Sequence, residues 1–229
     1  MREHGMNIFV SFVERKTSST TKDTKVHEGN LIPYIVFMAK SSRSTSKARV
    51  LSSREVYKGP AFRVTMDQVL EPSGIRTRRD IVRHSGSVVI LAVDDTLPEP
   101  QILLEHQYRH AAGRFLWELP AGRIDPGEKA LPAAKRELIE ETGYRAKSWK
   151  RILRFWASPG FVAEAMSMYL AKHLHSGVAQ PEADEVIRAK FFPLSSAVRM
   201  VMRGTIRDAK TICGVLWLSY QQNLRKPHR

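Results

Sequence analysis

Gly122-Arg-Ile-Asp-Pro-Gly-Glu128, a spacer of seven residues, then Arg136-Glu-Leu-Ile-Glu-Glu-Thr-Gly-Tyr144: the reading of the chain turns on this stretch. Residues 129–142 have helical composition, and Gly143 stands where a helix C-terminal cap belongs. Glu137, Glu140 and Glu141 are spaced by three and four, so one helix face carries all three. Like charges at that spacing destabilise a helix by roughly 0.2–0.5 kcal/mol per pair. An arrangement that costs stability points to a compensating cation, and carboxylate oxygens suit a hard ion such as Mg²⁺, which also takes substrate phosphate oxygens. The opposite face, Leu131, Ala134 and Leu138, can pack on a sheet while the glutamates face a cleft. Gly122 and Gly127 permit a loop that doubles back and offers a free carbonyl as a further ligand. Arg136 can hold a carboxylate in a bidentate pair and orient the cluster. For the three glutamates alone, a solvated acidic face is the competing reading.

Outward from this helix, strand signals lie on both sides. Residues 87–93 (Ser-Val-Val-Ile-Leu-Ala-Val) form a continuous apolar run, the pattern of a buried strand. Residues 101–108 and 115–119 read as the next strands, broken by Pro120-Ala121-Gly122. Residues 152–157, 166–171 and 186–192 read as further strands, and residues 194–202 and 212–223 as helices. Strands and helices are mixed without a regular βα repeat, which predicts a mixed sheet flanked by helices. Ahead of it, residues 50–84 alternate in strand fashion around a Pro72-Ser73-Gly74 turn and predict a small antiparallel unit. Three segments follow: 1–48, a poorly ordered extension rich in Ser, Thr and Lys; 49–86, the N-terminal β unit; and 87–229, the main domain.

Composition narrows the function classes. The chain has 229 residues, 42% hydrophobic and 26% charged, as an ordinary globular protein does. No apolar run reaches the roughly 18 residues of a membrane-spanning helix. The single cysteine, Cys213, allows neither an internal disulfide nor a multi-cysteine zinc site, and a reducing cytoplasm is expected. The net charge of +14 is spread along the chain rather than gathered in one block. It reads first as a solvated basic surface, with an anionic small substrate, a membrane surface or nucleic acid as the functional alternatives; with no basic helix or interleaved aromatic set, nucleic acid is not the expected partner.

The full spacing, Gly-x5-Glu-x7-Arg-Glu-U-x-Glu-Glu-x-Gly-U with U a bulky apolar residue, resembles the box of the Nudix hydrolases, and all seven fixed positions are present. Tyr144 is an unusual final U. The resemblance implies an α/β fold, an α/β/α sandwich around a mixed sheet. It implies Glu137, Glu140 and Glu141 as Mg²⁺ ligands, Mn²⁺ being the other candidate ion, with the carbonyl of Ala121 joining them. Glu141 is thereby a catalytic candidate too. Glu128 is implied as a supporting residue.

Outside the box, residues 105–109 (Glu-His-Gln-Tyr-Arg), 117–122 (Trp-Glu-Leu-Pro-Ala-Gly) and 157–160 (Ala-Ser-Pro-Gly) resemble the ADP-ribose pyrophosphatase branch. That branch has a proline sixteen residues after the last glycine of the box, and Pro159 holds this place after Gly143. The run Pro181-Glu-Ala-Asp-Glu185 resembles the acidic loop that carries the general base. The branch often has a carboxylate where Ala183 stands, so Glu182 and Glu185 both remain candidates. Arg109 precedes the cleft and is a sensible phosphate contact. Arg78 and Arg79 are placed to reach substrate from the N-terminal strands, and Glu164 follows the Ser-Pro-Gly-Phe turn where the branch has a carboxylate. Trp117 reads as core. The branch implies a homodimer in which the N-terminal β unit helps close over the substrate. The expected activity is hydrolysis of ADP-ribose to AMP and ribose 5-phosphate. The alternatives are another nucleoside diphosphate sugar of the GDP-mannose type, an RNA 5′-end pyrophosphohydrolase, and an inactive ADP-ribose sensor.

Overall fold

The computed structural model describes residues 47–180 and 186–224. The expectation for the N-terminal extension therefore lies almost wholly outside the described residues, as do Glu182 and Glu185. The described residues belong to one compact unit.

The 87–93 run decides the architecture. It becomes β4 (Ser87–Asp94), whose residues 87–93 are all buried. Alternate side chains of a strand point to opposite faces. Val89, Leu91 and Val93 enter one core cluster with Leu119, Ala197, Val215 and Leu218. Val88, Ile90 and Ala92 enter another with Ala133, Ala134 and Leu138. A strand covered on both faces must be apolar throughout, which is why this one does not alternate. The two clusters are the two sides of a sandwich. α1 (Ala130–Thr142) covers one face, while α2 (Leu194–Met202) and α3 (Ala209–Leu224) cover the other.

Around β4 the main sheet also takes in β5 (Gln101–Arg109), β8 (Arg145–Trp156), β10 (Ala165–His175) and β11 (Arg188–Pro193), in the order β11-β5-β4-β10-β8. β6 (Arg114–Glu118) pairs with β5, and β7 (Ala121–Arg123) pairs with β4. β10 runs parallel to β4 and antiparallel to β8, so the sheet is mixed.

A second sheet joins β1 (Arg49–Lys58), β2 (Arg63–Leu70) and β3 (Arg76–Arg83), all antiparallel. β3 continues in parallel to β9 (Val162–Ala163), the short strand after the Ser158-Pro-Gly-Phe161 turn. This pairing ties the N-terminal strands to the segment that carries Pro159. Every residue of β1 is exposed, including Val50, Leu51, Val56 and Tyr57.

Several elements extend beyond the sequence expectation: β10 runs on to His175 rather than ending at 171. β8 begins at Arg145 rather than at 152, and α3 begins at Ala209 rather than at 212. Among the described residues, no helix is long and apolar enough to cross a membrane.

Candidate active site

α1 ends where the sequence says it should. Gly143 adopts the left-handed conformation (φ 75°) and its N–H donates to the Ile139 carbonyl. A side chain here would be strained and would also collide: an added Cβ would lie 2.7 Å from the Ala179 nitrogen and 2.9 Å from the Gly177 carbonyl oxygen. The segment after β10 crosses the helix end at backbone contact, and Gln180 N–H donates to the Glu140 carbonyl at 2.9 Å. That bond satisfies one of the open carbonyls of the last helical turn.

The three glutamates share a face but not an environment. Glu141 is buried and its Oε2 accepts the Ala121 N–H at 3.0 Å. Glu137 lies against the Cα of Gly122, where an added Cβ would stand 2.0 Å from the carboxyl carbon. Glu140 is the most open of the three, with 38% of its side chain exposed. The expectation that all three simply face a cleft is thus refined: Glu141 looks inward to β7, and Glu137 fills the space that Gly122 leaves.

Arg136 organises them. Its Nη1 donates to Glu137 Oε1 at 2.8 Å and Glu140 Oε2 at 2.9 Å. Its Nη2 donates to Glu128 Oε2 at 3.0 Å and to the Arg123 carbonyl at 3.1 Å. The hydrogen bond to Glu128, with the charges of Glu137 and Glu140, raises the guanidinium above its ordinary range. Conversely, the Arg136 bond, aided by the Asp125 N–H, holds the Glu128 carboxyl below its ordinary value against the opposing effect of burial.

The donor set suits a hard divalent cation: carboxylates, plus the Gly122 cradle that lets Glu137 lie against the β7 backbone. Among the described residues, no three His, Cys, Asp or Glu side chains converge as a ready-made metal site. Arg136 stands among these carboxylates, its guanidinium bridging Glu137 and Glu140.

The other sequence candidates fall in different places. Arg109, at the end of β5, forks onto Glu118 of β6, Nε to Oε1 at 2.9 Å and Nη2 to Oε2 at 3.0 Å. Its partial burial works against the charge, but the Glu118 contacts outweigh it and Glu105 and Glu141 add to the field, so its basicity is raised. Arg109 is therefore within electrostatic reach of the α1 cluster. Glu164 accepts the Ser87 hydroxyl at 2.5 Å, with His84 Nδ1 at 3.7 Å. Ser87 stands opposite Arg123 in the β4–β7 ladder, so Glu164 belongs to the same sheet end as Gly122.

Arg78 and Arg79 separate, as neighbours on a strand must. Arg79 lines a groove of about 330 Å³ with Asp67, Arg83, Trp156, Pro159 and Phe161, while also pairing with Glu71 at 2.7 Å. Arg78 points away and forks onto Asp80 at 2.9 Å. Trp117 is partly buried against the core, stacked on His106 with centroids 4.6 Å apart, as expected. Sequence reasoning missed Arg83, Glu105 and Glu118. Arg83 continues the Arg79 face of β3, so period two would have found it once Arg79 was placed.

Residues 83–214 match the NUDIX domain family. The chain belongs to the Nudix family. This Nudix hydrolase is 39% identical to an ADP-ribose pyrophosphatase of Mycobacterium tuberculosis (strain ATCC 25618 / H37Rv) over 72% of its own length and 80% of the relative's. It is 32% identical to an ADP-ribose pyrophosphatase of Bacillus subtilis (strain 168) over 77% of its length and 95% of that protein's. Its fold is similar to that of a solved ADP compounds hydrolase, with a TM-score of 0.70 at 19% identity, covering 82% of this chain and 100% of the other. Nudix hydrolases need a divalent metal, which agrees with the carboxylate chemistry at α1.

Proposed function

We propose that this Nudix hydrolase cleaves the diphosphate of ADP-ribose to AMP and ribose 5-phosphate, with Mg²⁺ held by Glu137, Glu140, Glu141 and the Ala121 carbonyl. The observation that carries the site is the Glu137 carboxylate seated on Gly122 beside a Glu141 that holds the Ala121 N–H. It joins the helix carboxylates to the β7 backbone in one cluster. The substrate reading is supported by the likeness to two ADP-ribose pyrophosphatases over most of the chain.

The bound ion supplies charge neutralisation at the diphosphate and a more acidic water. Glu137 and Glu140, which Arg136 bridges in the structure, would hold the ion together with Glu141 and the Ala121 carbonyl, and Arg136 would keep its bond to Glu128. Arg109 presents to a phosphate the guanidinium donors that Glu118 does not use, and Glu182 or Glu185 takes the proton of the attacking water. The Arg79–Arg83 groove takes the nucleoside end: Trp156 and Phe161 offer exposed aromatic surface, and the two arginines offer donors. Glu164 holds the Ser87 edge of the site. The exposed apolar side chains of β1 pack on a second copy, giving a homodimer, because so short a sheet cannot bury that surface alone; a monomer in sedimentation would remove that assignment.

The test is turnover of ADP-ribose, GDP-mannose, NADH and 5′-triphosphate RNA with Mg²⁺. ADP-ribose should give the highest kcat/KM. A preference of about tenfold for any other member, equivalent to roughly 1.4 kcal/mol in the transition state, overturns the substrate while leaving the family intact.

A further inference from the structure

Behind Arg109 lies a chain of charges that the reaction as described does not use. Glu118, 1% exposed, receives the Arg109 fork on its two oxygens, and its Oε2 also accepts from the Lys210 ammonium. Lys210 comes from the first turn of α3 and is itself buried, at 8% exposure. Its second partner is Asp208 Oδ1 at 3.1 Å. The other Asp208 oxygen accepts the Thr211 N–H at 2.9 Å and the Thr211 hydroxyl at 2.6 Å, as a helix N-cap does. Thr211 Oγ1 then accepts the Leu119 N–H at 2.7 Å. Gly214, one turn on, lets α3 sit against Leu119: an added Cβ would lie 2.6 Å from its Cδ1. The start of α3 thus grips residues 118 and 119 by side chain and by backbone, directly ahead of Pro120 and Ala121.

Stability alone does not explain this. A buried ion pair is often no better than apolar side chains of the same volume, because desolvation consumes the Coulombic gain. Lysine is also among the residues least often buried. What the chain of charges does supply is geometry. A carboxylate with two cationic partners in fixed places can turn toward neither without losing the other. Glu118 therefore presents both oxygens to Arg109 at one angle, and the planar guanidinium follows, with its remaining N–H groups aimed. That guanidinium is the more open end of the chain, 38% exposed against 18% for Asp208, and it lies in the field of Glu141.

We infer that Lys210 is a positioning residue for the reaction: through the Glu118 carboxylate it fixes the orientation in which Arg109 meets the diphosphate. This rests on the reading above that Arg109 contacts the substrate, and the experiment separates the two.

The full-length chain is assayed with ADP-ribose and Mg²⁺ as Lys210→Met, Arg109→Met, the combination of both, and Glu118→Gln with Lys210→Met, each with a melting curve. Outer partners that orient a ligating group typically carry about 10- to 100-fold in affinity or activity. Lys210→Met should accordingly raise KM by about tenfold or more with a smaller change in kcat. It should add little when Arg109 is already methionine, because the effect runs through Arg109. Lys210→Met also leaves Glu118 with one partner and lowers the melting temperature. The Glu118→Gln, Lys210→Met variant removes both fully buried charges together and leaves only the partly exposed Arg109 guanidinium without its carboxylate, so its melting temperature should recover in large part while KM stays high. That variant also carries the test if Lys210→Met alone fails to fold. A KM that recovers together with the melting temperature means Lys210 is structural only and overturns the inference. So does a normal KM in Lys210→Met when Arg109→Met raises it. A normal KM in Arg109→Met removes Arg109 from the substrate and this inference with it.

Discussion

Replacing Gly122 with alanine tests the site where it is tightest. The new Cβ would lie 2.0 Å from the Glu137 carboxyl carbon and 2.1 and 2.3 Å from its two oxygens. Ordinary van der Waals contact begins near 3.4 Å, so the carboxylate must retreat by about 1.4 Å. The backbone need not move, because the obstructed group is the end of a flexible side chain. Gly122 carries no left-handed φ, so alanine suits its backbone. The stability change should therefore stay within about 1 kcal/mol. Activity should not be spared. A misplacement of about 1 Å in a positioned group can cost about 100-fold. Gly122→Ala should lower kcat by that order and shift Mg²⁺ activation to higher concentration, since Glu137 no longer stands beside Glu141 and the β7 backbone. Turnover at saturating ADP-ribose across a Mg²⁺ titration reads both effects, and a melting curve confirms the fold. A kcat within about threefold of the parent, with unchanged Mg²⁺ dependence, would show that the seat of Glu137 on Gly122 is irrelevant to catalysis.

Glu141→Gln should keep the fold, because the amide oxygen can still accept the Ala121 N–H, yet lower kcat by several orders of magnitude as charge stabilisation at the diphosphate disappears; near-native turnover at saturating Mg²⁺ would move the catalytic centre elsewhere. Glu182→Gln and Glu185→Gln, compared at fixed metal, should identify the base as the variant with depressed kcat and unaltered Mg²⁺ activation; if neither slows the enzyme, Glu164 is next to be tested. Asp67 has its carboxyl held below the usual range, first by the Ser53 hydroxyl at 2.6 Å and further by Thr65 and Arg83, against the cost of burial. A depressed carboxylate pKa contributes stability above its unfolded value, and that stability is lost as pH falls through the folded value. Ser53→Ala should therefore cost about 1 kcal/mol at neutral pH, with the difference shrinking below about pH 4; melting curves that differ equally at pH 3 and pH 7 would refute this.

What the sequence discloses and what it hides follow from how local the determining contacts are. The β4 run and the Glu137–Gly143 spacing are read directly, because burial on both faces and a helix end leave marks within a few residues. β8 was legible only in its second half. It is the edge strand of its sheet, and Arg145, Lys147, Lys150 and Arg151 are exposed there. Edge strands carry such charges to discourage further pairing, and the same charges erase the alternation by which a strand is recognised. The start of α3 was missed because its first turn is polar; Asp208 as N-cap is the signal that places it. Among the site residues, period two separates Arg78 from Arg79, yet only the pairing of β3 with β9 decides which of them meets the groove. Glu118 and Lys210 mark the limit. They stand 92 residues apart, on a strand and a helix whose local patterns are ordinary. Glu118 falls within the 117–122 stretch that resembles the branch, but no role attaches to it there, and Lys210 lies ahead of the helix read from residue 212. Their meaning arises only when the fold buries both against Arg109. On the reading proposed above, the carboxylates assigned to the metal sit on one helix and announce themselves, whereas the groups assigned to aim the substrate contact, Arg109, Glu118 and Lys210, come from three separate elements and are specified by packing.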